Sequence, residues 1–186
     1  MLRILNIEEL QNMLGKIPGL IQLFEQHEST FFESVKNWLG ELEKVLESNR
    51  LQACSDIAIF KGTLISVERG LVPPGVTFAQ RKSHRKVMDA VAVETLKKAN
   101  ELINNIINGP LAQINEAERL IRQIAPIGER KGLFHPQEGS PDRTTYLNQT
   151  WTRLINDPDL GNICLHIKGL VSAQDILILL DRSLSA

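Results

Sequence analysis

A heptad-like apolar rhythm fills the first two-thirds of this chain and leaves it few folds to choose from. Ile21, Phe24, Phe31, Val35, Trp38, Leu42 and Val45 recur at spacings of three, four or seven. After a polar break, Ala53, Ile57, Phe60, Leu64, Val67 and Leu71 do the same. Residues three and four apart share one face of an α-helix, so each stripe must be buried against other helices. The expected fold is all-α: a mostly antiparallel helical bundle of about four long core helices, with two or three shorter ones packed on it.

Breakers divide the pattern. Asn6 is expected to cap a first helix over 7–14, which Gly15-Lys16-Ile17-Pro18-Gly19 stops. One long helix is expected over 20–47, a reversal at Ser48-Asn49-Arg50, and a third helix over 51–69. Gly70-Leu71-Val72-Pro73-Pro74-Gly75 is the clearest break, because two prolines and two glycines cannot continue a helix. A fourth helix should run from Phe78 or Ala79 to Ile107, and a fifth from Leu111 to Ala125. Gly109-Pro110 between them reads as a hairpin in preference to a kink. Residues 126–141 read as a long loop, 142–155 as a helix, and 163–168 as a short strand or irregular segment. Ser172-Ala173-Gln174-Asp175 has the form of a capping box and opens a last helix through Leu184. The expected organisation is a single domain over 1–186, with a core bundle at 20–125 and C-terminal helices at 142–186 packed on it.

Composition narrows the function classes. An apolar fraction of 42% and a charged fraction of 23% belong to a globular chain, neither disordered nor membrane-embedded. The longest aliphatic run, Ile176 to Leu180, is five residues, against the roughly 20 that a membrane span requires. Met1-Leu2-Arg3-Ile4 lacks a basic region followed by a long apolar one, so a cytoplasmic location is expected. Cys54 and Cys164 make no metal-ligand or redox spacing and read as buried, reduced thiols. Charge is uneven: residues 1–60 hold five Lys/Arg and nine Asp/Glu, whereas 61–135 hold twelve and seven. Neighbouring helices of opposite sign account for this most simply, and a basic face open to an acidic partner is the alternative.

Catalytic grammar is thin. Gly15-Lys16 lacks the partner glycine and hydroxyl residue of a phosphate loop, and no Gly-x-Ser-x-Gly elbow occurs. No histidine has a Glu or Asp three residues before it, so neither a di-metal bundle site nor any cofactor is expected. Phe24, Phe31, Phe32, Trp38 and Phe60 fall largely on the helical stripes and read as core. Phe32 and Leu39 lie just off the main stripe, where they serve a second helix inside the bundle or a partner outside it. Arg81, Lys82, Arg85 and Lys86 form the densest cationic cluster, which Arg130 and Lys131 extend if the ends of the fourth and fifth helices fold back. Such a patch suits phosphates, although the acidic first and second helices can absorb the same charge. Arg130-Lys131-Gly132-Leu133-Phe134-His135 has an Arg-x4-His spacing and resembles the core motif of the HEPN ribonuclease superfamily, all-α bundles that cleave RNA at a dimer interface. The resemblance implies an arginine steadying phosphate charge and a histidine acting on the 2′-hydroxyl. The motif departs from the family in having Lys131 and Gly132 after the arginine and Pro136 after the histidine. The leading expectation is a non-enzymatic interaction subunit of a larger assembly, with a protein partner or self-association through Phe32 and Leu39. A nucleic-acid-binding helical subunit and a HEPN-like RNase follow in that order.

Overall fold

The computed structural model describes residues 2–71, 84–134 and 142–185. Eight helices and no strand occur among them: α1 (Ile4–Leu14), α2 (Ile17–Glu25), α3 (Phe31–Ser48), α4 (Cys54–Glu68), α5 (His84–Arg130), α6 (Arg143–Asn156), α7 (Gly161–Leu170) and α8 (Ala173–Leu184). The fold is an all-α helical bundle. It divides into two compact units, Leu5–Ile107 and a second made of Met1–Ile4 with Asn108–Ala186.

In the first unit the core is built on α3. Phe31, Phe32, Val35, Trp38, Leu39, Leu42 and Leu46 are all buried, a stripe wide enough to need neighbours on two sides. Leu42→Ala in such a site removes about 2–5 kcal/mol. Trp38 donates its indole N–H to the Met13 carbonyl at 2.9 Å, so the largest core side chain leaves no orphaned donor. Ion pairs close the rim: Lys16 with Glu41 at 2.6 Å, Lys36 with Glu68 at 3.1 Å, and Lys61 with Glu43. Phe32 and Leu39 therefore face inward, at 6% and 0% exposure, which fits the first of the two placements expected of them, a neighbour inside the bundle, and leaves no open docking face at these two residues.

The expected helix over 20–47 is two helices, α2 and α3, and α2 begins at Ile17 with Pro18 in its first turn. His27 adopts φ 56°, with its N–H on the Phe24 carbonyl at 3.0 Å and the Glu28 N–H on Leu23 at 3.0 Å. This is a Schellman closure, normally made by glycine. Arg50 (φ 54°) closes α3 in the same way, at the reversal the sequence announces. Asn6 lies inside α1, which starts at Ile4, and its amide bonds the Asn49 side chain instead of capping. The expected start of the fourth helix at Phe78 or Ala79 falls outside the described residues.

The hairpin expected at Gly109-Pro110 does not form, because α5 continues through Pro110 and Pro126 to Arg130. An interior proline forfeits one backbone bond and costs about 3 kcal/mol. The buried row Ile103, Ile107, Ile114, Ala117, Ile121 and Ile124 keeps helical phase across that point, and its burial offsets the loss. The expected loop begins correspondingly later, after Arg130.

In the second unit, residues 163–168 are neither strand nor irregular; they lie within α7. Gly161 starts that helix where an added Cβ would come within 2.7 Å of the Ile155 carbonyl oxygen. Ser172 caps α8 as expected, its hydroxyl oxygen accepting the Asp175 N–H at 3.2 Å, but the Asp175 carboxylate accepts from the Ser172 hydroxyl at 2.6 Å where a full capping box would use the backbone N–H. Asp175, only 1% exposed, also accepts the Ile4 N–H at 3.1 Å, so one buried carboxylate serves the first residues of α1 and α8. Asp175→Ala is expected to destabilise the chain by about 2–3 kcal/mol in urea unfolding, since buried donors lose their acceptor. The Thr150 hydroxyl oxygen is buried with no hydrogen-bond partner among the described residues. Thr150→Val should accordingly be neutral or stabilising by up to about 1 kcal/mol in the same assay.

Candidate functional site

The cationic residues singled out by the sequence do not gather into one site. Arg85 and Lys86 belong to the first turn of α5 and Arg130 to its last, in different units. Arg81, Lys82 and His135 lie outside the described residues. The Arg85 guanidinium donates to the His27 carbonyl at 2.9 Å and lies 3.9 Å from the Asp89 carboxylate. It thus satisfies a carbonyl that the α2–α3 turn leaves open. Lys86 is not free either. Lys131 bonds both Asp157 oxygens, at 2.8 and 2.9 Å, together with Asp159. Arg130 is exposed and reaches the Pro126 carbonyl of its own helix at 3.3 Å.

The Lys131 cluster is structural in form. Asp157 also accepts the backbone N–H groups of Asp159 and Leu160, at 3.0 and 3.1 Å, at the entrance to α7. The Lys131 ammonium holds the Asp157 carboxyl below its ordinary range, and the two carboxylates in turn raise Lys131. Close by, burial pushes the Cys164 thiol up to about 11, with the Asp157 charge adding to it. A thiol so placed is not a nucleophile at neutral pH. Among the described residues, no three of His, Cys, Asp and Glu are grouped to hold a metal ion.

Two concavities stand out. In the second unit, an open cleft of about 740 Å³ is lined by Arg122, Glu129, Phe134, Arg143, Tyr146 and Ser183, among others. Its cations are already satisfied: Arg122 pairs with Glu118 at 2.6 Å, and Arg143 with Asp181 at 2.6 Å. Arg143 also lies over the Tyr146 ring, 5.4 Å from its centre, while Tyr146 donates to the Phe134 carbonyl at 2.6 Å. Both lining arginines are thus paired with a carboxylate among the described residues.

The groove in the first unit differs in kind. Ile17, Ile21, Phe24 and Glu25 of α2 form one wall, Val93, Leu96, Lys97 and Asn100 of α5 the other, and Phe31 lies between. The space enclosed is about 370 Å³, room for a few apolar side chains. Three of its apolar residues stand open: Ile21 at 44%, Phe24 at 38% and Val93 at 37% exposure. Ile21 and Phe24 belong to the stripe that the sequence assigns to the core, and the structure leaves them at the surface. The cause is local. In α2 (IPGLIQLFE) only Gln22 and Glu25 are polar, and a nine-residue helix apolar on nearly all sides cannot bury every face. Ile17 and Leu20 take the inward positions. Phe24 is not loose, for its ring meets that of Phe31 at 5.2 Å between centres and a tilt of 53°.

Sequence reasoning missed this groove because periodicity marks which residues are apolar without saying which face finds a neighbour. The usable signal was the composition of 17–25, too apolar for a surface helix. No known protein-family model matches the chain, and no characterised protein or solved structure matches it.

The Asp157–Lys131 pairing has a pH signature. A carboxylate depressed in the folded state contributes stability at neutral pH and loses it as pH falls through the folded value. The raised Lys131 contributes below its unfolded value and loses that contribution as pH rises through the folded one. Carbon NMR of the carboxyl should place Asp157 below the ordinary 3.8, and Lys131→Met should move it back up towards that value.

Proposed function

We propose that this chain is a non-enzymatic interaction subunit that seats an apolar helical segment of a protein in the α2–α5 groove. The observation that carries the reading is the groove itself: Ile21, Phe24 and Val93 stand exposed together around an apolar concavity. Adjacent apolar residues on a surface mark interaction sites more often than scattered ones do. Grooves between helices accept an amphipathic helix through side chains one turn apart. The charges at the rim, Glu25 and Lys97, set orientation more than affinity.

The chain's chemistry otherwise favours assembly over turnover. The thiol of Cys164 is silenced by burial, and Arg85 and Lys131 are spent on internal bonds. That spending also weakens the nucleic-acid reading, whose patch required those cations to be open to phosphates. No single helix among the described residues is long and apolar enough to cross a membrane. We propose, independently of that, that the chain is a component of a larger cytoplasmic assembly.

Tagged protein recovered from source cells, with and without nuclease, tests this. Wild type should retain a protein partner after nuclease treatment, and Phe24→Asp should reduce that capture by about tenfold or more, as for a central interface aromatic. Equal capture by the two, with helicity unchanged, would remove the groove. Partners that vanish with nuclease would return attention to the cationic residues.

A further inference from the structure

We infer that the occupant of the α2–α5 groove is a second copy of this chain, held in a two-fold contact that lays the α2 wall of each copy along the α5 wall of the other. This deepens the reading of the groove as a docking surface and rests on it. The charges on the two walls point to this occupant. Glu25 stands on the α2 wall and Lys97 on the α5 wall, both exposed. Neither makes an ion pair among the described residues, whereas neighbouring charges do: Lys98 with Glu94 at 3.5 Å, and Lys36 with Glu33 at 2.8 Å. The groove is therefore flanked by one carboxylate and one ammonium, unspent and on opposite walls.

A two-fold axis through the groove exchanges the walls. It brings Glu25 of each copy to Lys97 of the other, so that both charges are used twice over. Walls of like charge would repel under the same operation, and a partner of single sign would satisfy one charge and repel the other. Isologous contacts need this kind of self-complementary patch. The apolar chemistry agrees, because Ile21 and Phe24 of one copy then cover Val93 and Leu96 of the second.

Sedimentation of the purified full chain, from about 1 μM to about 1 mM, spans the range in which weak dimers appear. Wild type should dimerise, and Phe24→Asp should raise the dissociation constant at least about tenfold. Glu25→Lys and Lys97→Glu each turn both reciprocal pairs repulsive and should weaken the dimer by about fivefold to tenfold. The decisive sample mixes these two variants, since each then offers the charge that the other lacks. The mixture should associate about as well as wild type, and so should the doubly reversed chain. All three positions are exposed, and circular dichroism checks that each variant keeps its helices.

A wild type that stays monomeric overturns the inference, as does a dimer indifferent to the three substitutions or single variants that stay weak when mixed. A monomer whose Phe24→Asp form still loses its cellular partner would remove the second copy alone and leave the groove as a docking surface for a different protein. Unchanged capture would remove both.

Discussion

The first unit depends on the width of the apolar stripe on α3. Seven of its side chains are buried, from Phe31 to Leu46, and they occupy more of the helix circumference than one neighbour can cover. Once α3 is enclosed, the charged residues beside it have one place left, the rim, where Lys36, Glu41 and Glu43 find Glu68, Lys16 and Lys61. Exposed pairs of this sort contribute about 0–1 kcal/mol each. They fix register among helices already held by burial at about 1.5–3 kcal/mol per large apolar side chain. Burial decides the architecture and charge trims it.

Much of this was legible in the residues, and the failures share a physical cause. Stripes at helical spacing identify α3, α4 and α5 because burial imposes that period. Helix ends were legible where a residue type is tied to a backbone state, as with Gly70 at φ 81° after α4 and the N-cap at Ser172 before α8. The break between α2 and α3 was not, because it is closed by His27 in the left-handed region, which side chains other than glycine rarely adopt. Gly109-Pro110 misled in the opposite direction. A proline predicts a break from local sterics, yet the apolar row on either side stays in phase, and the burial of that row outweighs one missing bond. Phase across a breaker is the better guide than the breaker alone.

The candidate sites were less legible than the fold because a sequence lists charges without their partners. Arg85 looks like a phosphate ligand until the His27 carbonyl is seen beneath it, and Lys131 until Asp157 and Asp159 are. In both cases the cation works where a helix end exposes unsatisfied groups, at the close of α2 and at the entrance to α7. Phe32 and Leu39 show the converse: side chains placed off the stripe by counting are enclosed, because the stripe of α3 is wider than the count allowed.

The same wide stripe explains why the exposed apolar residues sit where they do. α2 is short, joined to α3 by a tight turn, and can turn only one side to the core, so Ile17 and Leu20 are buried and Ile21 and Phe24 are not. Leaving two such side chains partly in water forgoes burial that the folded chain alone cannot recover, at about 25 cal/mol per Å² of apolar surface. A polar residue at Ile21 would relieve part of that loss, whereas at Phe24 it would also forfeit the ring contact with the buried Phe31. They stay exposed beside an apolar groove whose rim carries Glu25 and Lys97, neither of which makes an ion pair among the described residues, and this is the face that the proposed contact with a second copy would cover.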